Sequence, residues 1–336
     1  MDALLTPDQR AILDSVDRFA ARHLPPDEVR RRDRDHVPPY DLLKRMGEAG
    51  FFALAIPTAH GGLGGHWPDV ALVQERLGRH GYMAASIYNR VVGFGLASVL
   101  RYGSPTQQQA LVPGLMAGEF FIALALTEPG AGSDAGALMT AARKTASGYV
   151  ISGAKIWISD AAGARYLLTA ARTEQGSKGA AGITMFLVPR DAPGLTLSPL
   201  KKVGNNAMPS FEVGYDDVEV GDDAVMGEVG GGFRHLMSTL HMSRASMAAT
   251  VTGAAGAALD GVIAHARERH QFGKPIGSFQ AIAHRIADLS TRIDLSRLMV
   301  RHLATLIAGG HPCRREAAQA KIVATETLRD VADQGM

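Results

Sequence analysis

One cysteine, Cys313, in 336 residues excludes an intrachain disulfide and suits a reducing compartment. An excess of one charge is missing too: the net charge is +2 and no Lys/Arg-rich run concentrates it, so nucleic acid is not expected as a partner. No apolar run approaches the ~18 residues of a membrane span, which argues against a membrane. Met1-Asp2-Ala3-Leu4-Leu5-Thr6-Pro7 lacks a basic region followed by a long apolar one, so no secretory signal is read and a cytoplasmic location is the default. What is present is a core-forming composition, 46% hydrophobic and 20% charged, in a chain long enough for more than one domain.

The first third reads helical. Thr6 with Gln9 forms a capping box, followed by Ile12, Val16, Phe19 and Ala20 at helical spacing until Pro25 and Pro26 stop the run. A second helix runs through Leu42, Leu43, Met46 and Ala49 to Gly50, and helical spacing resumes over 70–78. Ala84 to Tyr102 and Pro105 to Met116 read as two more helices, the latter opened by Ser104-Pro105.

Near Phe120 the character changes. Apolar runs become short: Phe121 to Leu126, Tyr149 to Ser159, Tyr166 to Ala171, Ile183 to Val188, Leu195 to Leu200 and Phe211 to Val220. Gly, Pro and Asp between them suggest a small antiparallel sheet or barrel. Between the first two lies Thr127-Glu128-Pro129-Gly130-Ala131-Gly132-Ser133-Asp134. Pro129 stops the strand, Gly130 and Gly132 remove Cβ atoms where the backbone turns or approaches a ligand, and Tyr149 to Ser159 carries Trp157 to a surface. The pair looks like a cradle for a flat aromatic cofactor. Two other readings stand beside it. Gly130 to Ala135 fits the dinucleotide fingerprint G-x-G-x-x-A formally, although Thr-Glu-Pro stands where a strand should feed the glycines. The stretch is also compatible with an ordinary glycine-rich connection. A nucleophile elbow is excluded, because Ala131 occupies the position where Ser133 would need glycine.

After Gly230-Gly231-Gly232, helical periodicity returns over Phe233 to Ala266, Ile282 to Ala308 and from Arg314 onward, with a polar turn at Arg267 to Ile276. The expected organisation is α+β: a helical domain over 1–119, a middle antiparallel β-barrel domain over 120–229 and a four-helix bundle over 230–336. Three bundle helices leave a seam that a fourth would cover, so the chain is expected to be cut short.

With these elements placed, the whole chain resembles the acyl-CoA dehydrogenase family of flavoproteins. The resemblance rests on Ile56-Pro57 with Gly61-Gly62-Leu63-Gly64, Leu126 to Asp134, and Gly153-Ala154-Lys155-Ile156-Trp157-Ile158-Ser159. Arg267-Glu268-Arg269-His270-Gln271-Phe272-Gly273-Lys274-Pro275-Ile276 with Phe279-Gln280 completes it, all in the family's order. It implies FAD as cofactor, with Leu126, Thr127, Gly132 and Ser133 binding the ring edge and pyrophosphate, and Trp157, Ile158 and Ser159 forming the strand against the ring. It further implies that Arg269, Phe272 and Gln280 reach the FAD of a neighbouring subunit in a homotetramer, and that Ser133 and Arg244 approach the CoA part of an acyl-CoA substrate. The implied reaction is α,β-desaturation, with electrons passing to an electron-transferring flavoprotein. No metal is expected.

The chain departs from the family at the base. The family's usual Glu-Gly-Thr glutamate lies beyond Met336, and the alternative position, one residue before Arg244, is Ser243. No catalytic residue is therefore named. The expected alternatives are a related flavoprotein oxidase or monooxygenase, a dehydrogenase acting on a carrier-protein thioester, and a non-catalytic flavin-fold binding module.

Overall fold

The computed structural model describes residues 5–336. Thr6 caps α1 (Pro7–His23) reciprocally: Gln9 N–H donates to Thr6 Oγ1 at 3.1 Å and Thr6 N–H to Gln9 Oε1 at 3.3 Å. Then come α2 (Pro26–Arg34), α3 (Asp41–Glu48), α4 (Trp67–His80), α5 (Tyr82–Asn89), α6 (Ala97–Tyr102) and α7 (Pro105–Met116). Helix α2 begins at a proline expected only to end α1. Its residues are charged and only Arg32 is buried, so no apolar period marks it.

Between α5 and α6 the helix widens into a π-helical segment, Arg90–Leu96, where one uniform helix was expected. Gly93 permits the crowding there: a Cβ on it would fall 2.1 Å from Asn89 Oδ1. Such wide turns recur at functional sites.

Strands β1 (Ile122–Ala125), β2 (Ala141–Lys144), β3 (Gly148–Ser159), β4 (Tyr166–Arg172), β5 (Ile183–Pro189), β6 (Leu195–Leu200), β7 (Ser210–Gly221) and β8 (Val225–Met226) form one sheet. Its order is β6-β7-β3-β2-β4-β5-β8, with β1 beside β4. The expected antiparallel pairing holds along most of it, but β1 and β2 both run parallel to β4. Helix α8 (Gly232–Glu268), the hairpin β9 (His270–Gln271) and β10 (Lys274–Pro275), α9 (Gln280–Ala308) and α10 (Arg314–Gln334) complete the chain.

The chain divides into two compact units, one of residues 1–29, 63–86 and 241–336, the other of 30–62 and 87–240. In the first, Ala71 of α4 joins Ala245, Ala248 and Ala249 of α8, Leu303 and Ala304 of α9 and Ala317 and Ala320 of α10 in one core. The seam expected of three C-terminal helices is thus partly filled by α4. Small residues let the backbones close in, since a Cβ on Gly253 would lie 1.9 Å from the Glu75 carbonyl. In the second unit the sheet supplies the core, with Phe121, Ile122, Leu167, Phe186, Val188 and Val213 buried. Tyr82–Tyr102 and Gly232–Glu268 are long and apolar enough to span a bilayer by length and composition alone, and 83% of the first stretch's apolar window is buried within the protein.

Candidate functional site

Beyond β1 the chain makes a tight turn, with Glu128 and Ala131 exchanging N–H···O bonds of 3.1 Å in both directions around Pro129-Gly130. The Glu128 side chain turns inward. Its carboxylate accepts from Met139 N–H at 2.6 Å, Thr140 N–H at 2.9 Å and Lys155 Nζ at 2.7 Å. Lys155, fully buried, also donates to the Leu126 carbonyl at 3.1 Å, and Ile156 N–H donates to the Thr127 carbonyl at 2.8 Å. Strand β3 therefore grips the start of the loop, and the Glu128 carboxylate ties that start to Met139 and Thr140 beyond its end. Burial pushes the Lys155 ammonium down to about 8 against the pull of Glu128. Burial also works against the Glu128 charge, but the Lys155 and Thr140 hydrogen bonds outweigh it and hold that carboxyl below its ordinary value.

The outer face of the loop is open. Neither Gly130 nor Gly132 has positive φ, and a Cβ on either would meet nothing within 4 Å. Gly130 stands in the turn, as expected, though without a left-handed backbone, and the open space outside both glycines leaves room for the close approach that is the other half of that reading. Among the described residues, the N–H groups of Gly132 and Ser133 find no acceptor, and both residues are exposed.

Directly after Lys155, β3 bulges. Pairing with β7 runs Lys155↔Val213 and then Ile158↔Phe211, three steps against two. The extra residue puts Trp157 at φ 62°, a left-handed backbone costly for a bulky side chain, with 54% of its surface exposed. Ile158 is buried, and Ser159 Oγ lies 3.5 Å from Ser210 Oγ. Asp160 follows, again left-handed at φ 62°, its side chain wholly buried. Arg90 Nε donates to it at 3.1 Å and Tyr40 Oη at 3.3 Å. Burial raises the Asp160 pKa, opposed by Arg90, Tyr40 and Lys202, and burial followed by the Asp160 charge raises that of Tyr40.

The structure thus brings Leu126, Thr127, Gly132, Ser133, Trp157, Ile158 and Ser159 into one unit, with the 126–127 and 155–156 segments directly bonded. Arg244, Arg269, Phe272 and Gln280 belong to the other unit. Phe272 and Gly273, at φ 53° and 79°, form the two-residue turn of the β9–β10 hairpin within the stretch that the sequence showed as a polar turn. Phe272 is 91% exposed at its tip, and Arg269 and Gln280 are exposed beside it in sequence. Arg244 on α8 lines an open groove of about 600 Å³ with Arg314, Arg315, Lys321 and Ile322. Sequence reasoning quoted Glu128 and Lys155 within motifs but gave them no role, and it passed over Arg90 and Asp160. A lysine inside an otherwise largely apolar strand was the available signal for the first pair.

An open loop of unclaimed N–H donors beside an exposed indole on a bulged strand is a cradle for a planar, anionic group, and these residues fit a flavin. Comparison with known proteins agrees. The N-terminal, middle and C-terminal domain families of acyl-CoA dehydrogenase match residues 6–119, 123–218 and 230–336. The probable acyl-CoA dehydrogenase YngJ of Bacillus subtilis (strain 168) is 36% identical over 337 residues, covering 100% of this chain and 88% of that protein. Butyryl-CoA dehydrogenase from Megasphaera elsdenii superposes with a TM-score of 0.95 at 30% identity, covering 100% of this chain and 88% of that one. A structure of the electron transferring flavoprotein of Acidaminococcus fermentans contains a chain matching with a TM-score of 0.95 at 32% identity, with 100% and 88% covered.

Proposed function

The chain belongs to the acyl-CoA dehydrogenase family of flavin-dependent oxidoreductases acting on CH–CH groups, and from that premise we propose that it uses FAD to desaturate an acyl-CoA thioester between its α and β carbons. The observation that carries this reading is the exposed, left-handed Trp157 beside the open Gly132-Ser133 loop. The chemistry FAD supplies when bound is acceptance of the β-hydrogen as hydride. The Gly132 and Ser133 N–H groups favour the negative charge that reduction leaves, while Trp157 and Ile158 wall water off. Thr127 and Ser133 add hydroxyl donors, and Ser133 also meets the CoA portion. The α-proton requires a carboxylate, which is not among the residues assigned here, since Ser243 cannot serve.

Exposure of Phe272 supports a partner for the hairpin, and this reading gives it a neighbouring subunit of a homotetramer, whose FAD Arg269 and Gln280 also meet. Electrons pass on to an electron-transferring flavoprotein, and the single cysteine favours a cytoplasmic setting. The test is the visible spectrum of the purified full-length protein without oxygen, before and after adding acyl-CoAs of graded length. A yellow protein bleached by at least one of them is expected. A colourless protein that takes up no FAD, or a flavin that no acyl-CoA bleaches, overturns the proposal.

A further inference from the structure

Trp157-Ile158-Ser159 is bracketed by two buried ion pairs. On one side Lys155 meets Glu128 at 2.7 Å, and on the other Asp160 meets Arg90 at 3.1 Å. We infer that the second pair is a positioning device: Arg90 and Tyr40, acting through Asp160, fix the backbone that presents the Trp157 indole to the flavin. This rests on the flavin reading above for its ligand, but not for its geometry.

The geometry has three parts. A left-handed non-glycine residue persists only where its surroundings over-determine it, and Trp157 and Asp160 are two such residues three positions apart. Asp160 is tied on every side. Its N–H donates to the Pro209 carbonyl at 2.8 Å, its carbonyl accepts from Gly163 at 3.0 Å and Ala164 at 3.1 Å, and its carboxylate takes Arg90 and Tyr40. The Tyr40 ring closes over Gly163, where a Cβ would sit 2.3 Å from Cζ. Lastly, Arg90 begins the π-helical segment, and its guanidinium also lies 5.5 Å from the centre of the Phe94 ring one turn on. A charge this deep is costly to desolvate, and an apolar pair of the same size would fold as well, so packing alone does not call for it. What the pair adds is direction: an anion that accepts two donors from two other segments holds a strand end in one orientation.

The test uses the full chain in a Trp67→Phe background, which leaves Trp157 as the only tryptophan. Asp160→Asn and Arg90→Lys keep size or charge while loosening the geometry. In flavin-free protein, the acrylamide quenching constant and near-ultraviolet dichroism of Trp157 are expected to change in both variants. In protein loaded with FAD, the visible dichroism and midpoint potential of the flavin should shift and FAD affinity should fall about tenfold, the scale on which groups supporting a site act. A merely stabilising pair would lower the melting temperature and leave these signals alone, and that result overturns the inference. If Asp160→Asn does not fold, Arg90→Lys decides by the same signals. Failure of the flavin reading looks different: the parent protein takes up no FAD, while the indole measurements still decide the positioning role.

Discussion

The unit of residues 30–62 and 87–240 buries Arg32, Glu128, Lys155 and Asp160, whereas the unit of 1–29, 63–86 and 241–336 buries, among the described residues, only uncharged polar side chains such as Gln74, Thr250, Thr252 and Ser296. The ion pairs of the helical unit reach water, as Arg292 does in its pair with Asp330 on α9 and α10. Where α4, α8, α9 and α10 meet, its core is rich in alanine, and glycine at position 253 lets helices approach through backbone. The difference follows from what each unit must do. Helices satisfy their own backbones and need only be packed. The loop and bulge around Trp157 have no repeating ladder to hold them, so charged side chains reach in and take over that task.

The comparison is broken most forcefully at Lys155. Lys155→Met leaves Glu128 buried with only its two backbone donors, and a loss of about 3–5 kcal/mol is expected by chemical denaturation. A loss no larger than that of a surface change would mean that buried charge in this unit is incidental. The same residue carries a pH signature. Below about 8 Lys155 is charged in folded and unfolded chains alike; between about 8 and its ordinary 10.5 the unfolded chain keeps a proton that the folded chain has lost. Wild-type stability should therefore rise with pH across that window, by linkage, and Lys155→Met should lack the rise. Equal slopes in the two proteins would refute the assignment.

In the helical unit the largest effect should come from adding volume rather than removing charge. Gly253→Ala drives a methyl into the Glu75 carbonyl and should cost about 1–3 kcal/mol in the same denaturation experiment. Were it neutral, α4 and α8 would not be in the backbone contact described. The smallest effect is expected at the surface: Arg292→Ala, which removes the pair with Asp330, should change stability by no more than about 1 kcal/mol. A larger loss there would erase the contrast between the units.

Much of this was legible in the sequence for local reasons. Thr6 with Gln9 and Ser104 with Pro105 announced two helix starts because such signals are written in a few consecutive residues. The strands from β3 to β7 were legible as apolar runs between turn residues. Helix α2 and strand β2 were not, since Pro26–Arg34 and Ala141–Lys144 are held by what surrounds them rather than by an apolar period of their own. The loop residues and Trp157 stood out by motif. Their supports did not, because Arg90 and Asp160 are 70 positions apart and only the fold joins them.

Trp157 also sets two demands of the chain against each other. At φ 62° its backbone favours glycine, and the residue found there is the bulkiest of all. The position is locally frustrated: about 1–3 kcal/mol of conformational cost is accepted so that one ring faces outward. Sequences that relax this site by giving it glycine would fold more readily and present nothing flat, so selection for stability and selection for the cradle pull this one residue in opposite directions.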